Sequence, residues 1–179
     1  MKEIVQKDNL GLRQKAKEVP IKEIKSAKIK KIIKDMKEAL ASQDDGVALA
    51  APQIGVPLRI FIITPKIFDI LYPNEKAQKG NINLVYINPE ITKLSKEKKF
   101  VEEGCLSIRY WYGKSKRASK ATVKARDENG NLFERGGSGV LAQIFQHETD
   151  HLNGILFTDH AKDLIDIPPE QWNKKSSEK

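Results

Sequence analysis

The chain has 179 residues, with 32 lysines and arginines against 24 acidic residues and a formal net charge of +8. That length suits one domain with a sizeable core, and the lack of any apolar run of about 18 residues argues against a membrane span. The single cysteine cannot form an internal disulfide and fits a reducing compartment. The N-terminal Met1–Gln6 lacks the apolar segment of a secretory signal, so the cytoplasm is the expected location.

In chain order, Ile29, Ile32, Ile33, Met36 and Leu40 recur at helical spacing and predict an amphipathic helix over about Ser26–Ser42, with lysines on its other face. A small apolar run, Gly46–Gln53, follows. Leu58–Ile63 reads as a strand, and Thr64–Asn83 as a long loop broken by Pro65, Pro73, Asn74 and Gly80. Leu84–Ile87, Lys99–Glu102 and Ala121–Arg126 are further strands, and Asp127–Gly130 makes a hairpin turn into Leu132–Glu134. A second helix runs between Gly139 and Gly154, with Val140, Ile144, His147 and His151 on one face. There is no internal repeat and no second domain. Residues 1–166 are expected to form a single mixed α and β domain, and residues 167–179 a loose polar tail.

The second helix carries His147-Glu148-Thr149-Asp150-His151. Residues four apart share a helix face, so His147 and His151 can grip one ion while Glu148 reaches a water beside it. H-E-x-x-H on a helix signals metal-assisted hydrolysis. Two histidines at this spacing can also be satisfied by ordinary hydrogen bonds. Against that stands their concentration: the chain has three histidines, and two lie in this pattern. The lone Cys105 is the candidate third ligand, although free cysteine is commonly a small core residue. Its neighbour Gly104 would let backbone approach a ligand closely. Three protein ligands would leave a fourth position open, as in catalytic sites.

Three segments together, Gly46–Gln53, Glu103–Ser107 and Gln146–His151, resemble the ordered motifs of the peptide deformylases, and the resemblance runs from about Leu12 to about Asp159. It implies the α+β class, with antiparallel β-sheets around a central helix carrying the metal motif. It implies that Cys105, His147 and His151 hold one divalent ion, usually ferrous iron (Fe2+), with zinc (Zn2+), nickel (Ni2+) or cobalt (Co2+) able to take its place. Water activated at the metal would then attack an N-formyl carbonyl. The resemblance further implies that Gln53 and the Leu106 N–H stabilise the oxyanion, and that Glu148 acts as general base and then general acid. The substrates would be N-formylmethionyl peptides and nascent chains.

By the same resemblance Gly46, Val47 and Ala48 dock the peptide, Val47, Val101, Val140 and Ile144 line the methionine pocket beside Gly104, and Glu103 pairs with Arg117 to orient the Cys105 loop. Val47, Val101, Val140 and Ile144 would look the same as plain core residues, and Arg117 could be one more cation of the run Lys114–Arg117.

Three positions depart from the family pattern. Ala48 stands where glycine is usual, Arg109 where proline is usual, and Ser115-Lys116-Arg117 replaces Val-x-Arg. These bear on substrate preference and rate rather than on the reaction.

Two rival readings remain open to test. The positive charge suggests nucleic-acid binding, but the lysines are dispersed, so a solvated surface or contact with the ribosome surface is expected rather than sequence-specific recognition. A zinc endopeptidase shares H-E-x-x-H, but the Cys105 motif and Gln53 argue against it. A third reading, a family member that has drifted to another small N-acyl group, follows from Ala48 and Arg109.

Overall fold

A computed structural model describes residues 2–67 and 85–167. The first helix, α1, spans Ala27–Ala41, and the Ser26 side chain caps it by accepting from the Ile29 N–H. Strand β1 is Ala48–Ala50, followed by the 3-10 turn Ala51–Ile54, with β2 at Ile60–Ile63. Strands β3 (Val85–Leu94), β4 (Lys98–Cys105), β5 (Ile108–Ala118), β6 (Lys120–Arg126) and β7 (Leu132–Ser138) follow. The second helix, α2, is Gly139–Leu152, and β8 is Lys162–Asp166.

The strands form two sheets, ordered β1-β2-β3-β6-β7 and β4-β5-β8, and every pairing is antiparallel. Side chains alternate across a strand, and this alternation divides the core. On β2, Ile60 and Ile62 join α1 residues Ile29, Ile33, Met36 and Leu40 in one apolar cluster. The intervening Phe61 and Ile63 turn the other way and pack with Leu141, Ile144 and Phe145 of α2. Tyr86 follows the same rule on β3, and its ring stacks on Phe61 with centroids 4.5 Å apart. Both faces of this part of the sheet are therefore covered, which explains the unbroken apolar run of β2. The metal-motif helix lies between apolar sheet and the second sheet, as the α+β reading expects.

Several boundaries move. Strand β3 continues to Leu94 past Pro89, a residue that removes one donor from the ladder; the register shifts between Ile87 and Glu90 absorb it. Strand β7 runs on to Ser138. Of the expected loop Thr64–Asn83, residues 68–83 lie outside the described residues, and so does the expected tail beyond Ile167. Ile167 itself is buried, and its N–H donates to the Tyr110 carbonyl at 2.7 Å.

Gly154, just past the end of α2, adopts a left-handed conformation, φ +74°. A Cβ there would lie 2.4 Å from the Arg13 carbonyl oxygen, so glycine is needed both for its φ and for the passage of the N-terminal segment. Among the described residues no helix is long and apolar enough to cross a membrane.

Candidate active site

The site lies where α2, the β4–β5 hairpin and the segment around β1 converge on a pocket of about 390 Å³. Helix α2 brings His147 and His151 to one face, with their Nε2 atoms 3.1 Å apart. The end of β4 delivers Cys105, whose Sγ is 3.2 Å from His151 Nε2. The donor atoms of Cys105, His147 and His151 all lie within 4.8 Å of one another. His151 Nε2 thus has a thiol sulfur and a second imidazole nitrogen both at close range. Ligands around a tetrahedral ion with metal–nitrogen bonds of about 2.0–2.1 Å and a metal–sulfur bond of about 2.3 Å sit ~3.3–3.6 Å apart. The separations of His151 Nε2 from His147 Nε2 and from Cys105 Sγ, 3.1 and 3.2 Å, are within a few tenths of an ångström of that. A thiol and two imidazoles also form a donor set suited to first-row divalent ions. These residues fit a metal.

Their orientation is enforced from behind. His147 Nδ1 bonds to Glu103 Oε1, which turns Nε2 towards Cys105 and His151. Glu103 in turn takes a fork from Arg117, with Nη2 at 2.8 Å and Nε at 3.1 Å. Arg117 Nη1 extends the network to Asp150 Oδ2 at 2.6 Å. Burial alone would raise the Glu103 carboxyl, but hydrogen bonds from His147 and Arg117 overcome it and hold the group well below the ordinary carboxylate range. Burial likewise opposes charge on both histidines. Contacts with Cys105 and Glu103 reverse this for His147, whereas His151, facing the charge of His147, stays well below the usual value.

Glu148 is 4% exposed and lines the pocket, and its Oε2 has no hydrogen-bond partner. Burial is the main cause that pushes its carboxyl up to about 7, with Glu103 and Asp150 adding to the rise and His147 opposing it. A carboxyl poised there, with an oxygen left over, can both take and return a proton near neutrality.

Gln53 follows Pro52 in the 3-10 turn and is buried. Its Oε1 accepts the Ala50 N–H at 2.8 Å, which fixes which end of the amide is which. The amide NH2 therefore points inward, donating to Ser107 Oγ at 3.2 Å and facing Cys105 Sγ at 3.5 Å. Leu106 sits in the turn between β4 and β5 and also lines the pocket.

The remaining expectations divide. Gly46, Val47, Ala48, Gly104, Val140 and Ile144 all line the pocket. Val101 does not: it opens into an adjacent cleft with Arg117 and Lys120. Gln143 borders both spaces, and its Nε2 donates to the carbonyl of Glu102, the residue next to Val101. At Gly104 the close neighbour is the Tyr112 ring, 2.8 Å from where a Cβ would stand, rather than a ligand. Asp150 and Ser107 are site residues that sequence reasoning missed. Asp150 is three residues after His147 on the same helix, so its spacing was a usable signal; for Ser107 only its place beside Leu106 pointed there.

The polypeptide deformylase family model matches residues 1–165. The chain belongs to this family. It is 40% identical over 154 residues to peptide deformylase 2 of Clostridium acetobutylicum, covering 86% of this chain and 91% of the relative. It is 41% identical over 162 residues to the peptide deformylase of Dehalococcoides mccartyi, covering 89% and 87%. Among solved structures, the peptide deformylase of Thermotoga maritima superposes with a TM-score of 0.75 at 34% identity, covering 90% of this chain and 98% of that one. The enzyme from Legionella pneumophila gives 0.75 at 35%, covering 98% and 92%. As a deformylase the chain is a hydrolase, and the family is metal-dependent.

Proposed function

We propose that this pocket removes the formyl group from N-formylmethionyl peptides, with Cys105, His147 and His151 holding one divalent ion and Glu148 and Gln53 serving the reacting atoms. Family membership makes the reaction the hydrolysis of the N-formyl group of nascent polypeptides, with release of formate. One observation carries the assignment of residues: Cys105, His147 and His151 cluster at one point, and Cys105 and His147 share a pocket lining with Glu148 and Gln53.

Strands β1 and β4 are each at an edge of their sheet, and both border the pocket. An extended peptide laid along Gly46-Val47-Ala48 would pair with such an edge through its main chain. Its methionine side chain would reach Val47, Val140 and Ile144. Cys105, His147 and His151 would hold a divalent ion, which when bound would supply Lewis acidity that makes water acidic enough to be deprotonated near neutrality and polarises the formyl carbonyl. The Gln53 NH2 and the Leu106 N–H are the donors offered to the charge that builds on the formyl oxygen. Glu148 takes the water's proton and delivers it to the leaving amine. Glu103 and Arg117 keep His147 aimed throughout.

Ferrous iron is the proposed resident ion, with zinc, nickel or cobalt as substitutes that the same thiolate and imidazoles accept. The enzyme works in the cytoplasm on chains leaving the ribosome, and its net charge of +8 favours the anionic ribosome surface. The test offers a formyl-Met peptide and a peptide cleavable only at an internal bond, and measures formate and fragments on each. Formate without fragments supports deformylation; fragments without formate support the endopeptidase reading instead.

A further inference from the structure

Arg109 occupies a place that neither the ligand set nor the reacting groups account for. The β4–β5 register jumps from Gly104 opposite Tyr112 to Cys105 opposite Ile108, so Arg109, Tyr110 and Trp111 bulge out of the ladder with β4. Tyr110 sits at φ +70°, a conformation uncommon for a bulky residue, which bends the strand within this bulge. The Arg109 guanidinium leaves β5 and crosses to the loop before β1. There Nη1 donates to Asp45 Oδ2 at 2.7 Å, and Nη2 donates to Gln43 Oε1. The far anchor is itself held: Gln43 Nε2 donates to Ser42 Oγ, which donates to the Ala39 carbonyl at the end of α1, both at 2.8 Å. Arg109 and Asp45 both line the pocket, and their side chains are 27% and 42% exposed.

We propose that the Arg109–Asp45–Gln43 contact is a clamp across the pocket mouth, which sets the separation of the β1 segment from the β4–β5 hairpin and so positions the residues that follow formyl-methionine. The inference rests on the proposed peptide path, and Arg109 acts on the substrate through that spacing, as a positioning residue. Its planar fork suits the task, because two donors at fixed separation hold two acceptors from one loop. A substrate ending at methionine engages little of the mouth; a longer peptide engages all of it. The clamp therefore works through binding of the longer substrate and leaves the reacting groups alone.

The experiment is a double-mutant cycle of Arg109→Ala, Asp45→Ala and both, assayed for formate release from formyl-methioninamide and from a formyl-Met tripeptide. For the tripeptide, each single variant raises KM about 5- to 10-fold with kcat within about 3-fold, and the double variant is no worse than the worse single. The rise is smaller for formyl-methioninamide. Added salt raises the wild-type KM towards that of the variants and leaves theirs nearly unmoved. Arg109→Lys, which keeps charge and bulk but loses the fork, falls between wild type and Arg109→Ala, and guards against a variant that fails to fold. Additive singles, an equal loss on both substrates, or an unchanged KM would overturn the clamp. Wild-type protein that releases no formate from either substrate would instead overturn the reading of the pocket on which the clamp depends.

Discussion

Glu103→Gln removes one negative charge from the network behind the proposed metal ligands and changes almost no volume. In the native protein the Glu103 side chain is 2% exposed and accepts from Arg117 twice and from His147 once. The new amide presents an NH2 to at least one of those donors, so donor faces donor in a dry site. Removing one partner of a buried pair costs about 3–5 kcal/mol. The lower end applies here, because Arg117 keeps Asp150 at 2.6 Å. A loss of about 3 kcal/mol, at ~2–4 °C per kcal/mol for a chain this long, lowers the melting temperature by about 6–12 °C. His147 also loses the acceptor that aims its Nε2, which weakens metal binding by roughly 10- to 100-fold. Calorimetry of chelator-treated protein isolates the first effect, and metal competition against a chromogenic chelator measures the second. A melting temperature within about 2 °C of wild type, together with unchanged metal affinity, would refute the reasoning.

Two further substitutions probe other parts of the account. Glu148→Ala retains the metal, since Glu148 is not a ligand, and lowers kcat by about 100- to 10,000-fold, as loss of a general acid–base group does; a near-normal rate in the metal-loaded variant would sink its catalytic role. Gly154→Ala forces a Cβ to within 2.4 Å of the Arg13 carbonyl oxygen at φ +74°, costs about 2 kcal/mol or more and lowers the melting temperature by at least ~4 °C. An unchanged melting temperature there would show that the N-terminal segment does not pass as described.

The parts of the fold that a sequence reveals are those where burial and chemistry agree. Helix α1 was legible to within a residue at each end, because Ser26 caps it and its apolar stripe is unbroken. Strand β5 was not read as a strand at all. Its inward positions are filled by Gly113, Ser115 and Arg117, so the alternation that marks a half-buried strand is written in residues that look like loop and surface. Arg117 is buried because Glu103 and Asp150 neutralise it, a pairing across the sheet and helix that no local pattern contains. Strand β8 is exposed along its length and carries no apolar period. Strand β1, Ala48–Ala50, is too short and too uniform for periodicity to show.

The site was more legible than the fold. Metal ligands and proton-transfer groups are restricted to a few residue types, so Cys105, His147, His151 and Glu148 stand out by chemistry alone. Val101 was less legible for the opposite reason: an apolar residue on a strand fits a pocket or a core equally well, and the structure places it in an adjacent cleft that Gln143, on another element, also borders. The register jump that extrudes Arg109 was equally hidden, since it depends on how β4 and β5 pair.

The most direct test of the account joins metal to turnover in one sample. Protein stripped with a chelator under anaerobic conditions is titrated with ferrous iron, and formate release from a formyl-Met peptide is followed beside metal content. The account predicts no release without metal, a linear rise, and a break at one ion per chain that disappears in Cys105→Ala. Formate released by the metal-free protein, or a full-strength break in Cys105→Ala, would contradict it.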